Sequence, residues 1–124
     1  MSFVCIVDDD ASLRSGLTNL LRSAGYAAVS FSSGEAFLAS ADIDDALCVL
    51  LDLRMKGMQG LDVQRQMNQR HGSVPVVLMS AHGDEMVIRH ALSQGAAGFL
   101  HKPFPEEALL DLVAVAASRK GDEN

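Results

Sequence analysis

Residues 3–10 read FVCIVDDD, an apolar run that ends abruptly in three acids. A run of this kind, rich in β-branched residues, is typical of a strand buried on both faces of a parallel sheet. The next apolar residues recur three or four positions apart, as they do on one face of a helix: Leu13, Leu17, Leu20 and Leu21. Gly25 indicates where that helix ends. The stretch therefore predicts a strand followed directly by a helix.

Four more strand–helix units follow along the chain. The predicted strands are Tyr26–Phe31, Leu47–Leu51, Val76–Met79 and Gly98–His101. A capping box from Ser32 to Glu35 predicts a short helix, and the spacing of Leu61, Gln64 and Met67 predicts a second. A third helix is predicted from Asp84 to Gln94, and a last one begins at Pro105-Glu106-Glu107. Five units predict an α/β fold, with helices on both faces of a parallel sheet.

Length and charge limit the function. The 124 residues fit one domain, which we expect to cover residues 1–119, with 120–124 as a polar tail or the start of a linker. The formal charge of −6 and the absence of Trp argue against this module binding nucleic acid or an anionic membrane by itself. Without an export signal or an apolar run of about 20 residues, the sequence predicts a cytoplasmic protein.

The two cysteines, Cys5 and Cys48, lie within apolar runs. This position favours small, reduced core residues over the alternative of a disulfide. The four histidines are not spaced with the cysteines as a metal site would require, so we expect them at the surface or at strand edges.

Polar residues stand where the predicted strands end. The first strand leads to Asp8 and Asp9, the third to Asp52, the fourth to Ser80 and the fifth to Lys102. Ligands of open α/β sheets bind outside the carboxyl ends of the strands. Carboxylates gathered there would repel one another unless a cation lay among them, and oxygen ligands suit Mg²⁺. The pattern predicts a magnesium site at this edge.

Each of these residues also has an ordinary interpretation. Asp10 is expected to cap the first helix. Asp52 alone could be a solvated loop acid, Ser80 a turn residue and Lys102 a surface lysine. Their joint occurrence, in order, at the ends of successive strands favours a shared site.

The combination of Asp8-Asp9, Asp52, Ser80 and Lys102-Pro103-Phe104 resembles the receiver domain of bacterial response regulators, over residues 3–119. It is most similar to receivers that precede a helix-turn-helix DNA-binding domain in nitrogen-fixation-type regulators. The resemblance implies a flavodoxin-like, doubly wound (βα)5 fold with strand order 2-1-3-4-5. It also implies that a sensor histidine kinase is the partner.

In that family the acid at the position of Asp52 accepts the phosphoryl group. The resemblance implies that Asp8, Asp9, Asp52 and the backbone carbonyl of Arg54 bind Mg²⁺. Lys102 would offset the charge of the phosphoryl oxygens.

The resemblance also implies a conformational switch. Ser80 would hydrogen-bond the phosphoryl group, and Phe99 would turn inward and alter the face formed by helix 4, strand 5 and helix 5. An ordinary half-buried strand aromatic is the alternative for Phe99. Arg54 and His82 occupy positions that tune the lifetime of the acyl phosphate, and the peptide bond before Pro103 is expected to be cis.

One position departs from the family pattern. Lys56 stands where Pro commonly follows the Met of the acceptor loop, which we expect to loosen the loop and to add a positive charge near the site. The acids and the nucleophile are intact, so the departure concerns kinetics more than function.

Three alternatives remain open at this stage. A haloacid-dehalogenase-type phosphatase would need a second Asp where this chain has Arg54. A flavodoxin-like cofactor carrier would need a phosphate-binding loop after the first strand, and a third alternative is a receiver that signals without phosphorylation. The sequence also leaves open a fused DNA-binding effector domain and a phosphorylation-dependent homodimer.

Overall fold

The structure is a computed structural model that describes residues 2–81 and 85–122, with side chains described to residue 120. Its strands are β1 Phe3–Val7, β2 Ala28–Phe31, β3 Ala46–Asp52, β4 Val76–Ser80 and β5 Gly98–His101. Its helices are α1 Ala11–Ser23, α2 Gly34–Leu38, α3 Gly60–Arg70, α4 Glu85–Ser93 and α5 Glu106–Asp122, with a 3-10 helix, Ile43–Asp45, before β3. The predicted start of the fourth helix, Asp84, lies outside the described residues.

The strands form one parallel sheet in the order β2-β1-β3-β4-β5. The register aligns Val7 of β1 with Leu51 of β3, and Ser80 of β4 with His101 of β5. The predicted α/β fold and strand order are confirmed. All five strands run the same way, so their carboxyl ends meet at one edge of the sheet.

Each face of the sheet carries its own apolar layer, because successive strand residues face opposite sides. Helices α2, α3 and α4 cover one layer, to which they contribute Phe37, Val63, Met67, Ile88 and Ala91. Helices α1 and α5 cover the other, to which they contribute Leu17, Leu21, Leu109, Val113 and Ala116. The central strands are therefore buried on both faces, as the run at residues 3–7 predicts.

The two cysteines lie on opposite sides of the sheet. Cys5 packs beneath α2, α3 and α4, and Cys48 packs beneath α1 and α5. Both are buried free thiols, and burial raises the pKa of each to about 12. The expected reduced core cysteines are confirmed, and their thiols stay protonated and unreactive at neutral pH.

Several predicted boundaries differ from the structure by one or two residues, and two of these differences have a visible cause. Strand β2 begins at Ala28 rather than Tyr26, because the Tyr26 N–H donates to the Leu21 carbonyl at 2.9 Å and so still belongs to the end of α1. Helix α2 is capped by Ser33 rather than Ser32. The Ser33 hydroxyl oxygen accepts a backbone N–H of the first turn at 3.1 Å.

Helix α5 extends further than the sequence predicts. It continues to Asp122, where a polar tail or linker was expected from residue 120. The Lys120 ammonium donates to the backbone carbonyls of Asp44 and Ala46, which fixes the last turns of the helix against the start of β3. The domain boundary after residue 119 stays a prediction. Among the described residues, neither α5 nor any shorter helix is long and apolar enough to cross a membrane.

Candidate functional site

Three acids meet at the carboxyl ends of the central strands. Asp8 follows β1, and Asp52 is the last residue of β3, the neighbouring strand. The exposed fraction is 0% for Asp8 and 4% for Asp52, whereas Asp9 is exposed. One carboxylate oxygen from each lies within 4.8 Å of the other two. These residues are called the acid cluster below.

The turn after β1 orients the first member of the acid cluster. The Asp10 side chain caps α1 by accepting the N–H groups of Ser12 and Leu13 at 2.9 and 3.2 Å. The Asp10 N–H donates to Asp8 Oδ1 at 2.9 Å, and the Arg14 guanidinium donates to the Asp8 carbonyl at 2.8 Å. Asp10 is therefore the helix cap that the sequence predicts, and its backbone helps to hold the Asp8 carboxylate in place.

Lys102 brings a positive charge to the acid cluster from the end of β5. Its Nζ donates to Asp8 Oδ2 at 2.8 Å and lies 3.3 Å from Asp52 Oδ1. Its backbone N–H donates to the Ser80 carbonyl at 2.7 Å, and the peptide bond between Lys102 and Pro103 is cis, as expected. Counted with their formal charges, one Lys and three Asp side chains give the site a formal charge of −2.

Burial and charge perturb both partners of this ion pair. Burial raises the pKa of the Asp52 carboxyl above its ordinary value of 3.8, and the Asp8 charge raises it further. The Lys102 charge and the Arg54 N–H act in the opposite direction without reversing the shift. Burial by itself lowers the pKa of Lys102, but its hydrogen bond to Asp8 and the Asp52 charge outweigh that effect, so the pKa lies above 10.5. The negative charge at this edge is therefore incompletely compensated.

The loop between β3 and α3 contacts the acid cluster through its backbone. The Arg54 N–H donates to Asp52 Oδ1 at 3.3 Å, and the Lys56 N–H donates to Asp9 Oδ2 at 3.1 Å. At the start of α3, a Cβ added to Gly60 would lie 2.5 Å from the Asp52 carbonyl oxygen. Only glycine allows the helix to begin this close to the end of β3.

The remaining predicted residues are placed as follows. Ser80 ends β4, next to the strand that carries Asp52, and is fully buried. Phe99 lies on β5 with 37% of its surface exposed, and its ring packs edge-on against His101 with centroids 5.3 Å apart. His82 lies outside the described residues. The structure thus gathers the three acids in one cluster, with Lys102 in contact with Asp8 and Asp52 and with Ser80 on the adjacent strand.

The donor set fits a hard divalent cation. Such ions prefer carboxylate, carbonyl and water oxygens, and Mg²⁺ usually keeps several waters. The acid cluster offers three carboxylates, and exposed Asp9 leaves one side open to water. A charge of +2 would also balance the formal −2 of the site. Within residues 2–81 and 85–120, this is the one group of three or more His, Cys, Asp or Glu side chains close enough to share an ion.

Two contributors were missed by the sequence interpretation. The Lys56 N–H is a backbone donor, so its contact with Asp9 could not be assigned from the side chain. The sequence indicated it only indirectly, because position 56 carries Lys where Pro, which has no N–H to donate, is common. Gly60 gave no signal beyond being one of several loop glycines, because its close approach to Asp52 depends on how α3 packs against β3.

Comparison with known proteins shows which family the chain matches. The family model of the response regulator receiver domain matches residues 4–114. Nodulation protein W of Bradyrhizobium diazoefficiens is 39% identical over 118 residues, which are 95% of this chain and 52% of that protein. The transcriptional regulatory protein FixJ of Azorhizobium caulinodans is 35% identical over 120 residues, which are 97% of this chain and 57% of that protein.

Solved structures agree with these matches. The response regulator StyR superposes with a TM-score of 0.89 at 39% identity, over 98% of this chain and 62% of StyR. Full-length FixJ from B. japonicum superposes with a TM-score of 0.88 at 32% identity, over 95% of this chain and 58% of FixJ. The chain spans about half of the length of the curated relatives it matches.

Proposed function

The chain belongs to the response regulator receiver domain family, and from that premise we propose that Asp52 accepts a phosphoryl group from a sensor histidine kinase in a Mg²⁺-dependent reaction. The observation that carries the proposal is the contact of the Lys102 ammonium with both Asp8 and Asp52 inside the acid cluster. At the coarser level, the domain is a signalling module of two-component response regulators and is related to transcriptional regulators.

The proposed step is a nucleophilic displacement at phosphorus. A carboxylate oxygen of Asp52 attacks the phosphoryl group of a phosphohistidine, the P–N bond breaks, and its electron pair returns to the imidazole. The product is an acyl phosphate on Asp52, which water later hydrolyses. The receiver would catalyse both its own phosphorylation and its dephosphorylation, since positioning and charge compensation are the main requirements of phosphoryl transfer.

The acid cluster and the Arg54 backbone carbonyl would hold the cation. When bound, Mg²⁺ supplies positive charge that offsets the charge of the phosphoryl oxygens. Asp8 and Asp52 are oriented for this role by burial and by the hydrogen bonds of the adjoining loops. Exposed Asp9 would complete the set from the solvent side.

Lys102 is the group proposed to contact the phosphoryl oxygens directly. Its Nζ lies between Asp8 and Asp52, at 2.8 and 3.3 Å, so a small movement would transfer one contact from the Asp52 carboxylate to a phosphoryl oxygen bonded to it. The hydrogen bond to Asp8 would keep the ammonium in place during that exchange. Lys102 thus stabilises negative charge before and after the transfer.

The output of the switch is proposed from the positions of Ser80 and Phe99. The Ser80 hydroxyl would hydrogen-bond the phosphoryl group and draw the end of β4 inward. Phe99, now partly exposed beside His101, would follow and change the face formed by α4, β5 and α5. Arg54 and His82 are proposed to set the lifetime of the acyl phosphate.

The partner proposals follow from the length of the relatives. Because the chain spans about half of those proteins, we infer that a fused DNA-binding effector domain is the output in the complete protein. A phosphorylation-dependent homodimer through the α4–β5–α5 face is a further part of the proposal. The family match supports the receiver over the phosphatase and cofactor-carrier alternatives.

Incubation with acetyl phosphate tests the central claim. We expect intact mass measurement to show one phosphoryl group in the presence of Mg²⁺, lost on treatment with alkali and absent after addition of EDTA. Asp52→Asn should abolish it. Asp45→Asn, which removes an exposed acid before the amino end of β3, is the matched control and should be modified normally. Modification of the Asp52→Asn variant would contradict the proposal by showing a different acceptor. An unmodified native chain would also contradict it and would favour a receiver that signals without phosphorylation.

A further inference from the structure

The acid cluster receives one contact from the peptide bond that joins Met55 to Lys56. The N–H of this peptide donates to Asp9 Oδ2 at 3.1 Å, across 47 positions of sequence. Its carbonyl, which belongs to Met55, accepts from Gln59 Nε2 at 2.7 Å. A peptide unit is planar, and its N–H and C=O point in opposite directions when it is trans. The Gln59 side chain therefore fixes the orientation in which the N–H is presented to Asp9.

Asp9 differs from the other two acids in how it is held. Asp8 and Asp52 are buried and contact the Lys102 ammonium, whereas Asp9 is exposed to solvent. An exposed carboxylate samples several rotamers, and ordering it for a ligand costs conformational entropy. A fixed backbone donor reduces that cost, because it selects one orientation before the ligand arrives.

A carboxylate can accept this hydrogen bond and bind a cation at the same time. Its two oxygens have about four lone-pair sites between them, and one N–H occupies only one. Donors that orient metal ligands from outside the coordination sphere typically change metal affinity by about 10- to 100-fold when they are removed. The N–H is thus expected to assist cation binding and not to compete with it.

We propose that the Lys56 backbone N–H is a positioning group for Asp9, held by Gln59, and that it raises the affinity of the acid cluster for a divalent cation. The inference rests on the proposed function, which makes the cluster a magnesium site. The inference also explains what changes when Lys56 stands where the family commonly has Pro. Any residue except Pro supplies a backbone N–H at this position. Lys56 is therefore significant for its backbone and not for its ammonium.

Two substitutions at one position separate the backbone from the side chain. Lys56→Ala and Lys56→Pro both remove the ammonium, but only the second removes the N–H. Among the described non-glycine residues a positive φ occurs only at Asp42, so Lys56 does not have the left-handed backbone conformation that would exclude Pro. The measurement is the Mg²⁺ dissociation constant, obtained from a titration followed by backbone amide NMR resonances. We expect the Mg²⁺ dissociation constant of the Lys56→Pro variant to be about 10-fold higher than the dissociation constant of the Lys56→Ala variant.

A third variant keeps the test informative if Lys56→Pro fails to fold, which its amide spectrum without Mg²⁺ would reveal. Gln59→Met preserves the length of the side chain and the Lys56 N–H but removes the donor to the Met55 carbonyl. It should weaken Mg²⁺ binding in the same direction by a smaller factor.

The outcomes separate this inference from the function on which it rests. If the native chain shows no saturable Mg²⁺ response, the metal part of the proposed function fails. If the native chain binds Mg²⁺ but Lys56→Pro binds it as tightly as Lys56→Ala, only the positioning role fails. Tighter binding by Lys56→Pro would show that the N–H competes with the cation, which also overturns the inference.

Discussion

Strand β3 is contacted by a lysine at each end, and the two contacts differ in kind. At the carboxyl end the Lys102 ammonium contacts two of the three carboxylates of the acid cluster. At the amino end the Lys120 ammonium meets the backbone carbonyls of Asp44 and Ala46, which carry no net charge. The first contact leaves charge uncompensated, and the second satisfies acceptors at the start of a buried strand.

The difference shows which end can respond to a ligand. A lysine that donates to carbonyls completes the hydrogen bonding of the fold, so nothing is gained there by adding a cation. At the other end, the raised pKa of Asp52 reports that its charged form is disfavoured by burial and by Asp8. A cation or a change in covalent state relieves that cost. The two ends of one strand thus serve structure and function separately.

The largest effect is expected from Lys102→Met. Removing the ammonium leaves Asp8 and Asp52 buried beside each other without a positive partner, which we expect to lower the free energy of unfolding by about 3 kcal/mol in EDTA. Urea unfolding at neutral pH measures it. In the Asp52→Asn background the same substitution should cost clearly less, because one of the two carboxylates is absent. An equal cost in both backgrounds would show that the contact between Lys102 and Asp52 adds nothing to stability beyond the contact between Lys102 and Asp8.

A gain in stability is expected from Asp52→Asn. The folded-state pKa of Asp52 is raised, so its contribution to stability is present below the unfolded value of 3.8 and is lost as pH rises through the folded value. At neutral pH without metal, the variant should therefore be more stable than the native chain by about 1 kcal/mol.

Urea unfolding in EDTA checks this at two values of pH. The advantage of Asp52→Asn should shrink as pH falls through the folded-state pKa and vanish well below 3.8, because the native carboxyl is then protonated in both states. Saturating Mg²⁺ should stabilise the native chain more than the variant, because the cation binds the carboxylate that the variant lacks. A variant less stable than the native chain at neutral pH would mean that the contacts of Asp52 outweigh its burial.

The bounds of an element could be predicted where they depend only on residues that are neighbours in the sequence. β1 and β5 have the bounds that the sequence predicts, because each is a short run that is followed at once by a charged residue, Asp8 or Lys102. β2 was predicted to begin too early, since the Tyr26 N–H is taken by the preceding helix. The end of α5 was missed because it depends on the contact of Lys120 with the start of β3, which no local pattern encodes.

The site also contains residues that could be placed from the sequence and residues that could not. Asp8, Asp52 and Lys102 could be placed together because parallel strands bring their carboxyl ends to one edge. The Lys56 N–H and the close approach of Gly60 could not, because both depend on how the loop after β3 folds back on the strand ends. Side chains at strand ends are visible in a sequence, whereas backbone donors are not.

The smallest effect is expected from Lys120→Met, which tests the structural end of β3. The substitution removes the donor to two backbone carbonyls at a partly exposed position, so we expect a loss of about 0.5 kcal/mol. Amide hydrogen exchange should become faster in the last turns of α5, while modification by acetyl phosphate stays at the native level. Arg119→Met, at the neighbouring exposed position, is the matched control and should change neither. If Lys120→Met reduced modification by acetyl phosphate, the two ends of β3 would be coupled, and their separation into structure and function would be wrong.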